Sequence, residues 1–233
     1  MDRAPAPDHR RLGLGHVDSW VFDLDNTLYP ASSSLFPQID VRMRQFIADR
    51  LGMDLDAAYR LQKRYYREFG TTLRGLMLVH GIEPAAFLEY VHDIDHSVLA
   101  AAPVLDRALA GLPGRKLIFT NGTERHAVNV LDRLGIAHHF EGIFDIVAAE
   151  FLPKPQPDSY RMMVERHGVD ARSAAMVEDL HRNLVPAEAI GMTTVWVREI
   201  GHPDAALAMQ DDGDLSHVHH ITDDLAPWLA ALG

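Results

Sequence analysis

Two aspartates separated by one residue, Asp23 and Asp25, close the apolar run "WVF" at 20–22. A carboxylate at the border of an apolar interior is costly to bury unless a partner charge or a metal meets it. Three further stretches offer partners. "LIF" (117–119) is followed by Thr120, Asn121 and Gly122, "AAMV" (174–177) by Glu178 and Asp179, and "LPKPQP" holds Lys154 between two prolines. Clustered carboxylates call for a cation, and an all-oxygen donor set favours magnesium over zinc. Magnesium keeps waters and shares its shell with substrate phosphate. Lys154 and the hydroxyl and amides around Thr120 suit the remaining phosphate oxygens. In such a set one aspartate can be a nucleophile, giving an aspartyl-phosphate, while a second, two residues on, protonates the leaving alcohol and then activates water.

For these residues to meet, they must lie at the C-terminal edge of one parallel sheet, where open α/β folds bind ligands. The apolar runs "WVF", "LIF", "FDIV" (144–147), "AAMV" and "TVWV" (194–197) are continuous rather than alternating, as in strands covered on both faces. Helical patterns separate most of them. "ERHAVNVLDRLG" puts Ala127, Val130, Leu131 and Leu134 on one face and closes with Gly135; "PDSYRMMVERHG" aligns Tyr160, Met163 and Val164 and closes with Gly168. "HRNLVPAEAIGM" reads as another helix, with Pro186 acceptable only near its first turn. Strand and helix in alternation predict an α/β fold, a doubly wound, Rossmann-like parallel sheet.

Residues 31–102 break the alternation. Their patterns, including "FPQIDVRMRQFIADRLG", "DLDAAYRLQKRYYREFG" and "EPAAFLEYVHDIDHSVLA", are helical, without a convincing strand, and too long for one crossover. They read as an inserted all-helical domain, the core being formed by 1–30 and 103–233. Residues 204–216, acidic and rich in Gly and Asp, read as a surface loop. "HVHH" at 217–220 reads as an edge strand rather than a metal site, and His138 with His139 as a helix-end pair without chemistry.

The chain has 233 residues, 47% of them hydrophobic, enough for a sizeable core, and a net charge of −11 that argues against nucleic-acid polymers and anionic membranes as partners. A local cation still admits a phosphorylated small molecule. The absence of cysteine removes disulfides and thiol catalysis and suits a reducing compartment. The N-terminal stretch has no apolar segment of the secretory type, and no run of about 18 apolar residues exists. A soluble cytoplasmic protein, monomer or homodimer, is the expectation.

Taken in order, "DLDNTL", "FTNG", "PKP" and "VEDLHRNL" resemble the four motifs of the haloacid dehalogenase superfamily, over the whole chain, with 31–102 resembling its helical cap. The resemblance implies that Asp23 is the nucleophile and a Mg2+ ligand. It implies that Asp25 is the general acid/base and gives its backbone carbonyl to the metal. Thr120 and Lys154 would bind phosphate, Asn121 and Gly122 would line the phosphate cup, and Asp179 would ligate magnesium with Glu178 in support. Dehalogenase members lack an acid at the second position, so Asp25 implies phosphoryl transfer. Leu180 and His181 depart from the commoner small residue after the acidic pair.

Within the superfamily, "YYREFGTTLRGLMLVHGI", "VHDID" and "LPGRKLIFTNGTERHA" resemble the pyrimidine 5'-nucleotidase branch. That implies hydrolysis of nucleoside 5'-monophosphates such as UMP and CMP, with Tyr66, Thr71, Arg74, His92 and Asp93 as candidate cap residues facing the site. Ordinary roles compete: Arg74 as a surface ion-pair partner, Tyr65 and Tyr66 as packing between helices, His92 as a structural residue. Rival functions stay open: a phosphatase for sugar phosphates or pyridoxal phosphate, a phosphomutase, or a non-catalytic binding protein that keeps the fold.

Overall fold

Every residue of β1 (Ser19–Phe22) is buried, and the strand has a parallel neighbour on each side. The computed structural model describes residues 13–198 and 214–233. In it, β1 pairs with β2 (Arg115–Phe119) and β4 (Ala174–Glu178). β3 (Gly142–Phe144), β5 (Thr193–Val197) and β6 (His220–Thr222) complete a six-stranded parallel sheet of order β3-β2-β1-β4-β5-β6.

Side chains alternate across this sheet as the strand period of two requires. Trp20, Phe22, Ile118, Val177 and Val195 face a cluster with Leu109, Val130, Leu131 and Leu229. These come from α5 (Pro103–Gly111), α6 (Glu124–Leu134) and α9 (Leu225–Ala230). Val21, Leu117, Phe119 and Met176 face the other layer, packed on Tyr160 and Met163 of α7 (Pro157–His167) and Leu184 of α8 (His181–Ala189). Full burial of a side chain such as Phe22 contributes about 2 kcal/mol, so two covered faces explain the unbroken apolar runs.

Among the described residues, four α-helices precede α5: α1 (Phe36–Leu51), α2 (Leu55–Phe69), α3 (Thr72–His80) and α4 (Pro84–Val91). Their apolar stripes meet in a third cluster that includes Ile39, Phe46, Tyr65, Leu73 and Phe87 and takes in Ile146 from the strand-bearing part. Caps set their ends: Asp54 accepts from the Ala57 amide at 2.8 Å and Thr71 from the Arg74 amide at 3.2 Å.

Three local expectations differ from the structure. The strand expected at 144–147 is instead β3, ending at Phe144. Asp145 turns the chain by accepting from the amides of Glu124 and Ala148, each at 2.8 Å. The edge strand at 217–220 begins only at His220, because His217 is drawn to the His181 carbonyl (2.9 Å) and His219 to the Thr194 amide (3.0 Å). Pro186 lies well inside α8. Tyr160 donates its hydroxyl to the Asn183 carbonyl at 2.5 Å, an outside donor for the turn the proline interrupts. Of the loop expected at 204–216, residues 204–213 lie outside the described residues.

Candidate active site

The ladder between β1 and β4 runs one residue past β1: the Asp23 amide donates to the Val177 carbonyl at 2.9 Å. The chain then turns, with the amides of Thr27 and Leu28 on the Leu24 carbonyl and Asn26 at φ 63°. This turn carries Asp23 and Asp25 to the sheet edge. Asp23 Oδ2 accepts from Thr27 Oγ1 at 2.9 Å, and Asp23 Oδ1 from Lys154 Nζ at 2.7 Å.

Lys154 also donates to Glu178 Oε2 (2.6 Å) and to the Phe119 carbonyl (2.9 Å). Its loop is clamped by Asn121, whose Oδ1 accepts from the Lys154 amide at 2.8 Å and whose Nδ2 donates to the Lys154 carbonyl at 3.3 Å. Thr120 Oγ1 accepts from the Gly122 amide at 2.9 Å, which leaves the threonine hydroxyl hydrogen as a donor. Gly122 passes so close to its neighbours that a Cβ there would meet His126 Cδ2 at 3.2 Å.

Carboxylate oxygens of Asp23, Glu178 and Asp179 lie within 4.8 Å of one another. Lys154 offsets one of these charges, and burial makes the excess costly. Burial and the neighbouring Glu178 push Asp23 up to about 7, and the same two causes hold Asp179 well above the usual carboxylate range. A set of oxygen donors that retains protons for want of positive charge fits a hard divalent cation such as Mg2+. The Leu180 amide, at the departure in the fourth motif, donates to Glu178 Oε1 at 3.3 Å, while the His181 ring meets Trp196 edge-on at 5.3 Å.

Asp25 has partners that sequence reasoning missed. Its Oδ1 accepts from Tyr29 OH at 2.5 Å and from His126 Nε2 at 2.8 Å. Burial, the largest single cause, raises its carboxyl, but the His126 charge and the hydrogen bonds from His126 and Tyr29 together outweigh it and bring it down to about 2. His126 Nδ1 meets His96 Nε2 at 3.3 Å, and the His92 ring stacks on it at 4.6 Å. The signal available was positional: His126 occupies the first turn of the helix that follows "FTNG", and Tyr29 stands four residues after Asp25.

A cavity of about 260 Å³ joins these groups to the helical layer, with Phe36, Ile39, Phe87 and Val91 on its apolar wall. Tyr66, Thr71 and His92 line it together with Asp23, Asp25, Thr120, Asn121, Gly122, Lys154, Glu178 and Asp179. Arg182, also on the wall, lays its guanidinium over the Tyr66 ring at 4.3 Å. Arg74 and Asp93 stand outside this lining; Asp93 is exposed and pairs with Arg42 at 2.8 Å. His138 and His139 both turn to Asp106 Oδ1, at 3.2 and 2.8 Å, away from the cavity.

The sheet order, the helices on both faces and the acidic edge define a Rossmann-like α/β protein with its site at the strand ends. The model of the haloacid dehalogenase-like hydrolases matches residues 17–191, and the chain belongs to that family. Its relatives include Phosphate metabolism protein 8 of Saccharomyces cerevisiae, 30% identical over 208 residues, or 82% of this chain and 62% of that protein. The chain thus spans less than two-thirds of the yeast relative. Phosphoglycolate phosphatase of Neisseria gonorrhoeae is 27% identical over 219 residues, covering 85% of this chain and 87% of that one. Among solved structures, L-2-haloacid dehalogenase from Xanthobacter autotrophicus with chloropropionic acid covalently bound superposes with a TM-score of 0.53 at 18% identity, over 91% of this chain and 97% of its own. At that identity the likeness concerns the fold. Among the described residues, no helix is long and apolar enough to cross a membrane.

Proposed function

We propose that this chain is a Mg2+-dependent phosphomonoesterase that works through an aspartyl-phosphate, with pyrimidine nucleoside 5'-monophosphates, UMP and CMP, as its preferred substrates. One observation carries the chemistry: a buried Lys154 ties Asp23 to Glu178 beside Asp179, with Asp25 two residues from Asp23 on the same cavity. Asp23 and Asp179, with Glu178 in support, would hold the magnesium, which supplies positive charge to the phosphoryl oxygens. Lys154 and the Thr120 hydroxyl bind the non-bridging oxygens.

An Asp23 oxygen attacks phosphorus while the bond from phosphorus to the ester oxygen breaks. That oxygen takes a proton from Asp25, whose carboxyl is low in the ligand-free site and is raised by the negative charge of the bound phosphate, and leaves as the alcohol. Water then gives a proton to Asp25 as its oxygen attacks the same phosphorus, the bond to Asp23 breaks, and phosphate departs. In this reading residues 31–102 are the cap that covers the non-phosphate part of the substrate. The setting is cytoplasmic, and both a monomer and a homodimer are compatible with it.

The nucleotide preference is supported by the size and apolar wall of the cavity, since phosphate alone needs neither. A second reading, a phosphatase of small, more polar esters, is favoured by the phosphoglycolate phosphatase among the relatives. The deciding experiment is phosphate release with Mg2+ from UMP, CMP, AMP, GMP, pyridoxal phosphate, glucose 6-phosphate and phosphoglycolate, with Asp23→Asn as control. Selective turnover of UMP and CMP, abolished in Asp23→Asn, is expected. Selectivity for phosphoglycolate or a sugar phosphate would replace the substrate while keeping the chemistry. Turnover surviving in Asp23→Asn would refute the nucleophile.

A further inference from the structure

His126 is enclosed on every side that the structure describes. Its side chain is fully buried. One ring nitrogen reaches Asp25 Oδ1 at 2.8 Å and the other reaches His96 Nε2 at 3.3 Å. His92 covers a face of the ring, with an interplanar angle of 15°. Gly122 backs the ring edge, where an added Cβ would press on it at 3.2 Å. Thr123 caps the helix beneath, accepting from the His126 amide at 3.3 Å, and its hydroxyl also meets His92 Nδ1 at 3.3 Å. A buried imidazole with both nitrogens engaged is fixed in orientation.

Its position matters for Asp25. Tyr29 and His126 both donate to the same carboxylate oxygen, Oδ1, from two directions. The carboxyl group cannot rotate about its bond to Cβ without breaking both hydrogen bonds. His92 and His96, the other neighbours of the ring, follow α4, in the segment through which the chain leaves the helical layer. The contact therefore runs from that segment, through one ring, to one oxygen of Asp25.

We propose that His126 is a positioning residue for Asp25, and that through His96 it makes the orientation of Asp25 depend on the docked helical layer. The inference rests on the phosphatase reading, in which Asp25 protonates the departing ester oxygen. A buried histidine that merely packs would affect all substrates alike. A residue that aims the proton donor affects most those leaving groups that need the proton. An alkoxide needs it, whereas 4-nitrophenolate departs as a stable anion.

The test compares kcat/KM, which reports the steps up to formation of the aspartyl-phosphate, for 4-nitrophenyl phosphate and for the best alkyl phosphate of the substrate panel. Wild type, His126→Leu, His126→Gln and His96→Ala are measured with saturating Mg2+. We expect His126→Leu to lose roughly tenfold or more on the alkyl ester beyond its loss on the aryl ester. His126→Gln, which keeps an N–H donor, should recover most of the alkyl-to-aryl ratio. His96→Ala, at a half-buried site, should shift the ratio the same way by less. Equal losses on both esters in His126→Leu and His126→Gln would overturn the positioning role. An unchanged ratio in His96→Ala would overturn the link to the helical layer. If His126→Leu fails to fold, His126→Gln and His96→Ala decide the matter by the same ratio. A wild type inactive on both esters would overturn the phosphatase reading and this inference with it, before any variant is compared.

Discussion

Lys154 and Glu178 meet at 2.6 Å with each side chain only 1% exposed, an ion pair sealed from water and shared with Asp23. Removing one partner of a buried pair strands the other. Lys154→Met keeps the length of the side chain and removes its charge, leaving Asp23, Glu178 and Asp179 without a counter-ion from the chain. We expect a loss of about 3–5 kcal/mol in metal-free urea unfolding and loss of hydrolysis. Added Mg2+ should raise the melting temperature of the variant more than that of wild type. Equal stabilisation of the two would show that the lysine and the cation do not answer the same charge.

Mg2+ at the proposed site would compete with protons for the same carboxylates. Asp23, pushed up to about 7 by burial and by Glu178, binds its proton more tightly in the folded chain than at its ordinary 3.8. Its contribution to stability is therefore full below about pH 4 and lost as pH rises through 7. A cation that takes the place of the proton removes that loss. The Mg2+-induced rise in melting temperature should grow from about pH 5 to pH 8, with protons released on binding below about pH 7. Thermal scans across pH, and titration calorimetry in two buffers of different ionisation heat, check both. A Mg2+ effect independent of pH would contradict the arrangement.

Acid should act through a different residue. Burial and the charge of His126 push His92 down to about 3, so it stays neutral when folded while the unfolded chain protonates it below about 6.5. Stability is lost as pH falls through that window. His92→Phe keeps a ring over His126 and removes the linkage, so the loss between about pH 7 and 4.5 should shrink by about 1–2 kcal/mol in urea unfolding. Asp25 acts lower still. Held at about 2, where the His126 charge and the hydrogen bonds from His126 and Tyr29 together outweigh burial, it withdraws its contribution only as pH falls from about 4.

Gly75 in α3 lies against Tyr65 in α2 so closely that an added Cβ would sit 2.4 Å from Tyr65 Cγ. Alanine at a helical position ordinarily gains about 1 kcal/mol over glycine. Here overpacking should win, and Gly75→Ala should lower stability by about 1–3 kcal/mol. A stabilised variant in urea unfolding would mean that the two helices pack less tightly than described.

Although the fold is shared with a haloacid dehalogenase, 2-chloropropionate should yield no halide. In the proposed reaction Asp25, held by Tyr29 and His126, serves an ester oxygen that must leave with a proton. Halide detected in an ion-selective assay would undo that role.

The strands that carry the site were readable because each is covered on both faces and so is apolar without interruption, and because polar residues start abruptly where β1, β2 and β4 end. What escaped has physical reasons. "FDIV" reads apolar and so draws Asp145 into a strand, although its carboxylate bonds the Ala148 amide in the adjoining turn and the Glu124 amide at the start of α6. Of the histidines around Asp25, His92 and His96 lie 34 and 30 residues before His126, and no local period joins them to it. Asn121 lines the cavity with Thr120 and Gly122, but that its amide group also holds the Lys154 backbone, a pairing across 33 positions, is something composition cannot reveal. Arg74 and Asp93 are suggested by residue type and neighbourhood, but which way a side chain turns, on a helix for Arg74 and just past one for Asp93, depends on packing that is set elsewhere.

The central place of β1 has a consequence for how the chain acquires its form. Its two neighbours are contributed by residues 115–119 and 174–178, so the strand next to Asp23 in sequence waits for segments far downstream. The intervening helices make mostly local contacts and can organise early, whereas pairing across such separations closes large loops and is slow. The residue assigned here to attack phosphorus is thus emplaced late. A nascent or partly unfolded chain can hold ordered helices while the charge cluster at the sheet edge is still unmade.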